Sequence, residues 1–208
     1  MTTASAQIRK GRKFDQVLEG AREVFLEFGF EGASVDDIAR AAKVSKATLY
    51  SYFPDKRLLF LEVATRECSR QAETALAAIN LDDPAPQVLR AAGEHLLAFI
   101  QTSLGRSIYR LCVGECLRFP ELAQAFYASG PRTVHTELSA FLTRAVDRGE
   151  LIIEDISLAA DQFAELVKAD MFAKLVFGVQ TEFTKVELDR IIDGAVQMFM
   201  ARYANTDF

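Results

Sequence analysis

The chain has 208 residues, half of them hydrophobic, and a formal net charge of −5. This composition excludes a largely disordered chain and leaves enough apolar residues for one or two domains with a proper core. Three cysteines, an odd number, favour a reducing compartment over a disulfide framework. The N-terminus has no apolar signal run, and no stretch of about twenty uncharged apolar residues is present. We therefore expect a cytoplasmic protein with no membrane partner.

The acidic total conceals an uneven distribution of charge. Residues 1–57 contain ten Lys or Arg against eight Asp or Glu, whereas residues 58–208 contain fourteen against twenty-one. We interpret residues 1–12 as a basic tail able to contact the phosphate backbone of DNA. An acidic remainder would discourage nonspecific binding to nucleic acid. The basic residues that precede the first acid are Arg9, Lys10, Arg12 and Lys13.

No strand-like alternation persists in the sequence, and apolar residues recur at helical spacing, which predicts an all-α protein. A loop with two Asp and two Pro at 80–86 is the clearest break between helices. The predicted helices lie at about 13–28, 35–42, 46–53, 55–79, 86–102, 106–118, 121–128, 131–148, 157–177 and 185–203.

Two short helices and the turn between them form the most informative stretch. Ser34 is a good N-cap for the first helix, and Asp37 three residues later suits a capping box. Lys43 lies where the chain must turn, a position that would favour glycine if its backbone is left-handed. Ser45 then caps the second helix, whose exposed N–H groups and positive dipole end favour a phosphate, as does Lys46. This pattern is typical of a helix-turn-helix that places its second helix in a DNA major groove.

Several short motifs of this sequence occur in the same order in one protein family. They are Ala21-Arg22-Glu23-Val24-Phe25, Phe28-Gly29-Phe30, Asp37-Ile38-Ala39, Val44-Ser45-Lys46-Ala47-Thr48-Leu49-Tyr50 and Tyr52-Phe53-Pro54-Asp55-Lys56. With them, residues 10–69 resemble the DNA-binding domain of the TetR family of bacterial transcriptional regulators. The resemblance implies a three-helix head at 13–56, with the motif at 33–52. The DNA contacts it implies come from Ser34, Ser45, Lys46, Ala47, Thr48, Tyr50, Ser51, Tyr52 and Lys56.

The second half of the sequence resembles the C-terminal domain of the AefR-like branch of that family. The residues concerned are Tyr109-Arg110-Leu111, Glu115, Arg118-Phe119-Pro120-Glu121-Leu122-Ala123, Phe126-Tyr127, Gly130-Pro131 and Arg148-Gly149-Glu150-Leu151. The resemblance implies that residues 57–208 form an effector-binding and dimerisation domain. A long helix would join this domain to the head and move when a ligand enters.

We expect the effector to be a small hydrophobic or aromatic molecule, because the candidate lining is apolar and aromatic with few polar anchors. Tyr109 and Glu67 are the polar groups expected to anchor it. About half of the apolar candidates would be ordinary core residues. The candidate lining residues are Phe60, Ala64, Glu67, Cys68, Phe99, Tyr109, Cys112, Val113, Cys116, Phe163 and Phe172.

Two helices near the C-terminus are apolar over more than one stripe, since fourteen of the twenty residues 158–177 are apolar. They would form a four-helix interface in a homodimer that binds a palindromic operator. The alternative is that both are simply the most buried helices of a monomer. The predicted interface residues are Ala169, Phe172, Val176, Ile192, Ala195, Val196 and Phe199.

We find no motif for catalysis, a metal or a cofactor. His95 and His135 are forty residues apart without a zinc-hydrolase frame, and no glycine-rich phosphate loop occurs. Cys112 and Cys116 share one helix face and could bind a soft metal or sense oxidants, although cysteine is more often a buried filler. The sequence thus predicts a ligand-responsive DNA-binding regulator, a repressor rather than an activator. The alternatives are a thiol- or metal-sensing regulator and a helical ligand-binding protein whose DNA head is not functional.

Overall fold

The computed structural model describes residues 11–206, and in that range it contains helices and a single isolated antiparallel bridge, between Leu151 and Ala204. The predicted all-α class is confirmed. Most of the predicted basic tail, residues 1–10, lies outside the described residues, and Arg12 already belongs to the first helix. The helices are α1 (Arg12–Gly32), α2 (Val35–Ala41), α3 (Lys46–Tyr52), α4 (Lys56–Ala78), α5 (Ala85–Ile100), α6 (Ser103–Glu115), α7 (Pro120–Ser129), α8 (Pro131–Asp147), α9 (Ile156–Lys168), α10 (Phe172–Phe177) and α11 (Lys185–Tyr203).

The N-terminal apolar core joins α1, α2, α3 and the first half of α4. Phe25 of α1, Ile38 of α2, Leu49 of α3 and Phe60 of α4 are all buried in it. The same core also includes Ile108 of α6 and its neighbours, so it extends beyond the residues that form the helix-turn-helix. Burial of this apolar surface fixes α2 and α3 against α1.

A second core lies among α5, α8, α9, α10 and α11. Leu89, Phe141, Phe163 and Phe199 are buried there, and the rings of Phe163 and Phe199 meet edge to face with centroids 5.4 Å apart. Leu151 closes one end of this core beside the last turn of α11. The two cores involve different helices. The first half of α4 belongs to the N-terminal core, and Ile79 at its end packs against the second core.

The predicted continuous helix at 157–177 is wrong. The chain breaks after Lys168 into α9 and α10, and Asp170 between them has a left-handed backbone with φ of 66°. Aspartate tolerates this conformation better than most residues. Its carboxylate also pairs with Lys174, 2.7 Å away, and with Arg190 of α11. These contacts hold the break where apolar periodicity alone indicated continuity.

Two other boundaries differ from the prediction. α6 begins at Ser103 rather than near 106, because the Thr102 hydroxyl accepts a hydrogen bond from the Gly105 N–H at 2.9 Å. α1 continues past residue 28 through a kink at Gly29, where φ is 68°. A Cβ on Gly29 would lie 2.8 Å from the Ser107 hydroxyl oxygen, so glycine permits the close approach of α6.

Candidate DNA-binding and effector sites

The caps predicted for the helix-turn-helix are present. The Ser34 hydroxyl oxygen accepts a hydrogen bond from the Asp37 N–H, and the Ser45 hydroxyl oxygen accepts one from the Thr48 N–H, both at 3.1 Å. Lys43 has a φ of 53°, the left-handed conformation that its position in the turn suggested. Each cap satisfies an N–H group that the helix itself cannot pair, so the two short helices have defined starting points.

The carboxylate of Asp37 adds charge-assisted contacts to this corner. It accepts the Ser34 hydroxyl at 2.5 Å and the Arg40 guanidinium at 2.7 Å. These hydrogen bonds, with that from Ser34 the larger, lower the pKa of Asp37. The carboxylate therefore stays ionised at neutral pH and complements the positive end of α2.

The outer face of α3 is polar and accessible. Leu49 is buried and holds the helix on the core, whereas Tyr50 is 48% exposed. The Ser51 hydroxyl donates to the Thr48 carbonyl at 2.7 Å, and its oxygen can still accept a hydrogen bond. Of the predicted contact residues, Ser34, Ser45, Lys46, Ala47, Tyr50 and Ser51 are exposed and Thr48 is half-buried. This surface suits hydrogen bonding to phosphates and base edges.

Lys46 has a competing partner in the free head. Its ammonium forms an ion pair with the Asp36 carboxylate of α2, and both side chains are more than half exposed. Such an exposed pair stabilises the fold little, so a phosphate can replace the carboxylate at low cost.

Two predicted DNA contacts have a different principal role. The Lys56 ammonium donates to the carbonyls of Phe30 at 2.8 Å and Ala33 at 3.0 Å, so it ties the start of α4 to the end of α1. These two hydrogen bonds leave one N–H of the ammonium for another acceptor, so a phosphate contact from Lys56 stays a prediction. The Tyr52 ring is half-buried and packs edge to face on Phe14, with centroids 5.7 Å apart. It is therefore first a packing residue of the head.

An apolar cavity of about 150 Å³ lies between α4, α5, α8 and α9. Three of the predicted effector residues line it: Cys68, Phe99 and Phe163. Ala72 and Ala75 of α4 form part of one wall. The polar lining residues were not predicted, because they face the same space only after the helices pack; they are Gln71, His95, Ser129, Thr133 and Glu137.

The other predicted effector residues do not line this cavity, and the reason is the position of α6. α6 packs against α1 instead of surrounding the cavity, so Cys112 joins Phe60 and Ala64 in the N-terminal core. Tyr109 packs edge to face on Phe172, with centroids 4.8 Å apart. Two further candidates, the exposed Val113 of α6 and the half-buried Cys116 just after α6, are not among the lining residues of the cavity.

The sequence predicted Glu67 as a polar anchor for the effector, and the structure corrects this expectation. Glu67 is only 4% exposed, and its carboxylate accepts the Arg22 guanidinium of α1 at 2.8 Å. It also accepts the Arg70 guanidinium at 3.1 Å and the side-chain amide of Gln71 at 2.8 Å. The hydrogen bond from Arg22 to Glu67 raises the pKa of Arg22. Glu67 thus connects α1 of the head with Gln71, a residue of the cavity wall.

Comparison with known proteins agrees with this geometry. Residues 17–63 match the family of bacterial regulatory proteins called the tetR family. Residues 87–205, more than half of the chain, match the C-terminal domain of AefR-like transcriptional repressors. The chain belongs to the TetR family. It is a DNA-binding transcriptional regulator of that family.

Individual relatives match over most of the TetR-family chain. The transcriptional repressor AcnR of Corynebacterium glutamicum is 27% identical over 182 residues, which cover 88% of this chain and 91% of AcnR. The structure of a TetR-family regulator from Mesorhizobium loti superposes with a TM-score of 0.79 at 26% identity, covering 93% of this chain and 97% of that one. The flavonoid-responsive regulator FrrA is 33% identical, with a TM-score of 0.67 and coverage of 95% and 100%.

The predicted dimer residues of this TetR-family chain fall into two groups. Ile192, Ala195 and Phe199 are buried in the chain's own core, which corrects their assignment to an interface. Their side chains face α5 and α9, because α11 packs against both helices. The remaining four are accessible at least in part: Ala169 is exposed, and Phe172, Val176 and Val196 are half-buried.

Two of the three cysteines are buried in apolar surroundings. Burial raises the pKa of the Cys68 thiol to about 12 and that of the Cys112 thiol to about 11. Both thiols are therefore protonated at neutral pH, and the thiolate is the form that reacts with oxidants and metals. Within residues 11–206, no group of three or more potential ligands is arranged to hold a metal ion, and no helix is long and apolar enough to cross a membrane. The burial of Cys112 argues against the thiol-sensing alternative.

Proposed function

We propose that this regulator binds palindromic operator DNA as a homodimer in the cytoplasm and that a small hydrophobic or aromatic effector in the cavity weakens that binding, as in a repressor. The observation that supports the proposal is the double role of α4. Leu59, Phe60 and Val63 in its first half are buried in the N-terminal core. Ala72 and Ala75 in its second half form a wall of the cavity.

A helix of 23 residues is a stiff connection of about 35 Å. Displacement of its cavity end changes the direction of the whole helix and therefore the position of the head. In a homodimer, such a change would alter the spacing between the two copies of α3. The operator fixes the spacing that binds best, since paired recognition helices must meet successive major grooves.

The size of the cavity explains why a ligand would move α4. A cavity of about 150 Å³ is comparable to an engineered one that binds benzene. A ligand with two fused rings must push the wall outward. The ligand then binds the displaced state more tightly, and this difference in affinity is the free energy that opposes operator binding.

The hydrogen bonds of Glu67 offer a second connection between the two sites. Gln71 lines the cavity and donates to Glu67, which in turn accepts Arg22 of α1. A ligand that rotates the Gln71 amide removes one donor from a buried carboxylate, which is costly for the group left unpaired. Relaxation of the Glu67–Arg22 contact would then loosen α1 relative to α4.

The relatives support the direction of regulation and the type of effector. AcnR is a repressor, and FrrA is a flavonoid-responsive regulator. Flavonoids are aromatic, in keeping with the aromatic side chains Phe99, Phe141 and Phe163 around the cavity.

The proposed dimer interface is the exposed face of α9 and α11. Leu158 of α9 and Met198 of α11 are exposed apolar residues, 51% and 63% accessible. Val186, Arg190, Gly194 and Met198 follow one another at i, i+4 steps along α11, and a Cβ on Gly194 would meet no atom within 4 Å. A second copy of this face would cover the apolar side chains and approach closely at the glycine.

The interface is tested by the mass of the particle in light scattering. We expect the wild-type chain to be a dimer and Met198→Arg to be largely monomeric. Val113→Arg changes an equally exposed apolar residue on α6 and should leave the dimer intact. A monomeric wild-type chain, or a dimer unaffected by Met198→Arg, would exclude this interface.

The regulatory proposal is tested with DNA selected from genomic fragments by the purified protein. Fluorescence anisotropy at two salt concentrations then compares the selected duplex with a scrambled one. We expect a preference of about a thousandfold or more for the selected site. Binding that ignores sequence and vanishes with salt would instead favour a ligand-binding protein whose head is not functional.

A further inference from the structure

The lining of the cavity contains a negatively charged side chain and no Lys or Arg. Among its lining residues, Glu137 of α8 is the only carboxylate, and neither Lys nor Arg is present. The other titratable groups that face the cavity are His95 of α5 and Cys68 of α4. The Cys68 thiol contributes no charge at neutral pH, because burial raises its pKa to about 12.

Within residues 11–206, Glu137 also forms no ion pair with a cationic side chain. The ion-paired carboxylates of this range include Glu67 of α4, Glu94 of α5 and Glu115 of α6. Its side chain is half-buried at the edge of an apolar wall that includes Leu138 and Phe141. A carboxylate in such a place keeps part of its hydration and attracts a positive charge more strongly than an exposed acid does.

An acid that enters the cavity would gain no compensation for its lost hydration. Burial of a charge is costly unless it is paired, and the lining residues provide no Lys or Arg as a partner. The negative charge of Glu137 adds repulsion. A cation, in contrast, would find both Glu137 and aromatic lining residues such as Phe99 and Phe163.

We infer that the cavity selects small aromatic molecules that have a positive charge, with Glu137 as the residue that determines this preference and acids excluded. The inference rests on the proposed function for the identity of the cavity as the effector site. It adds the charge of the ligand to its hydrophobic character. An uncharged aromatic molecule should bind with intermediate affinity, since it loses little hydration but gains no ionic contact.

Three probes of one shape test the inference: 1-naphthylmethylamine, 1-naphthalenemethanol and 1-naphthoate. Isothermal titration calorimetry with the full chain, without DNA, gives their affinities. We expect the amine to bind at least tenfold more tightly than the acid, with the alcohol between them. The acid binding as tightly as the amine, or none of the three binding, would overturn the inference.

Variants of Glu137 then locate the cause. Glu137→Gln should bring the amine and the acid within about threefold of each other, and Glu137→Lys should reverse their order. Glu73→Gln removes an exposed carboxylate of α4 that does not line the cavity, so it should preserve the wild-type order. His95→Gln should also preserve it. If Glu137→Lys does not fold, the Gln variant decides alone, and an unchanged order in that variant contradicts the role of Glu137.

The DNA assay separates this inference from the proposed function. A preference for the amine that is lost in Glu137→Gln supports the charge selection even if the amine does not alter operator binding. Binding of the amine to the cavity without any change in operator affinity would contradict only the proposed regulation. If the acid releases operator DNA at lower concentrations than the amine does, the proposed regulation is supported and the charge selection is contradicted.

Discussion

The head and the C-terminal domain differ in how closely their helices approach. In the head, a Cβ on Gly20 of α1 would lie 2.4 Å from the backbone nitrogen of Ala42 at the end of α2. In contrast, α5, α8 and α9 of the C-terminal domain leave a cavity of about 150 Å³ between themselves and α4. A tightly packed head keeps the DNA-binding surface in one shape, whereas an incompletely filled domain can change its shape when a ligand enters. α4 belongs to both regions and links a rigid unit to a deformable one.

The largest expected effect comes from disturbing the close contact in the head. Gly20→Ala places a methyl group against the backbone of Ala42, which cannot move without shifting α2. We expect the free energy of unfolding to fall by about 3 kcal/mol, the upper range for overpacked sites. Chemical denaturation followed by circular dichroism measures it.

The matched control is Gly114→Ala in α6, where an added Cβ meets no atom within 4 Å. Alanine favours the helix over glycine by up to about 1 kcal/mol, so this variant should be as stable as the wild type or slightly more stable. Equal destabilisation by both changes would mean that the head is not packed more tightly at Gly20.

Filling the cavity should separate ligand binding from DNA binding. Ala72→Phe places a ring in the cavity from α4 and should remove ligand binding measured by calorimetry. Ala77→Phe adds the same ring to an exposed position of the same helix and should preserve it. Both variants should bind the operator, because a single ring is about the size that the cavity accommodates without displacement of α4. Retained ligand binding in Ala72→Phe would place the effector site elsewhere.

The outer face of α3 should show two kinds of loss. Tyr50→Ala should weaken operator binding by about 2 kcal/mol with little change on random DNA, as expected for a side chain near base edges. Lys46→Ala should weaken binding to both duplexes. It should also reduce the slope of log affinity against log salt concentration by about the amount expected for one phosphate contact. Anisotropy titrations on both duplexes distinguish the two patterns. If Tyr50→Ala lowers the affinity for operator and random DNA by similar amounts, Tyr50 does not contact base edges.

The smallest expected effect is that of the thiols. Because burial raises the pKa of Cys68 and Cys112, iodoacetamide at pH 8 should modify these residues slowly. Cys112→Ser should leave operator affinity unchanged under reducing and oxidising conditions. Loss of DNA binding on oxidation that is absent in Cys112→Ser would restore the thiol-sensing alternative.

Local signals made the head predictable from the sequence. Ser34 and Ser45 lie at the starts of short helices, and Lys43 lies in the turn between them, where the structure has caps and a left-handed residue. Each feature depends on neighbours within a few residues. The hydrogen bonds from Lys56 to the carbonyls of Phe30 and Ala33 were not predicted, because these partners are distant in the sequence.

The cavity was less predictable because it depends on the packing of distant helices. The apolar residues of α6 have helical spacing that suits a pocket wall as well as a core, and the structure places Cys112 in the N-terminal core. Gln71 and Glu137 belong to helices far apart in the sequence and face the same space only in the fold. Likewise, periodicity identified α11 as broadly apolar but could not assign Phe199 to the chain's own core.

The central claim is that α4 transmits occupancy of the cavity to the DNA-binding head. Its most direct test is the operator affinity of the wild-type chain with and without saturating 1-naphthylmethylamine, measured beside Ala72→Phe. We predict that the amine weakens operator binding at least tenfold in the wild type and has no effect in the filled variant. Binding of the amine to the cavity in calorimetry with an unchanged operator affinity would contradict the claim.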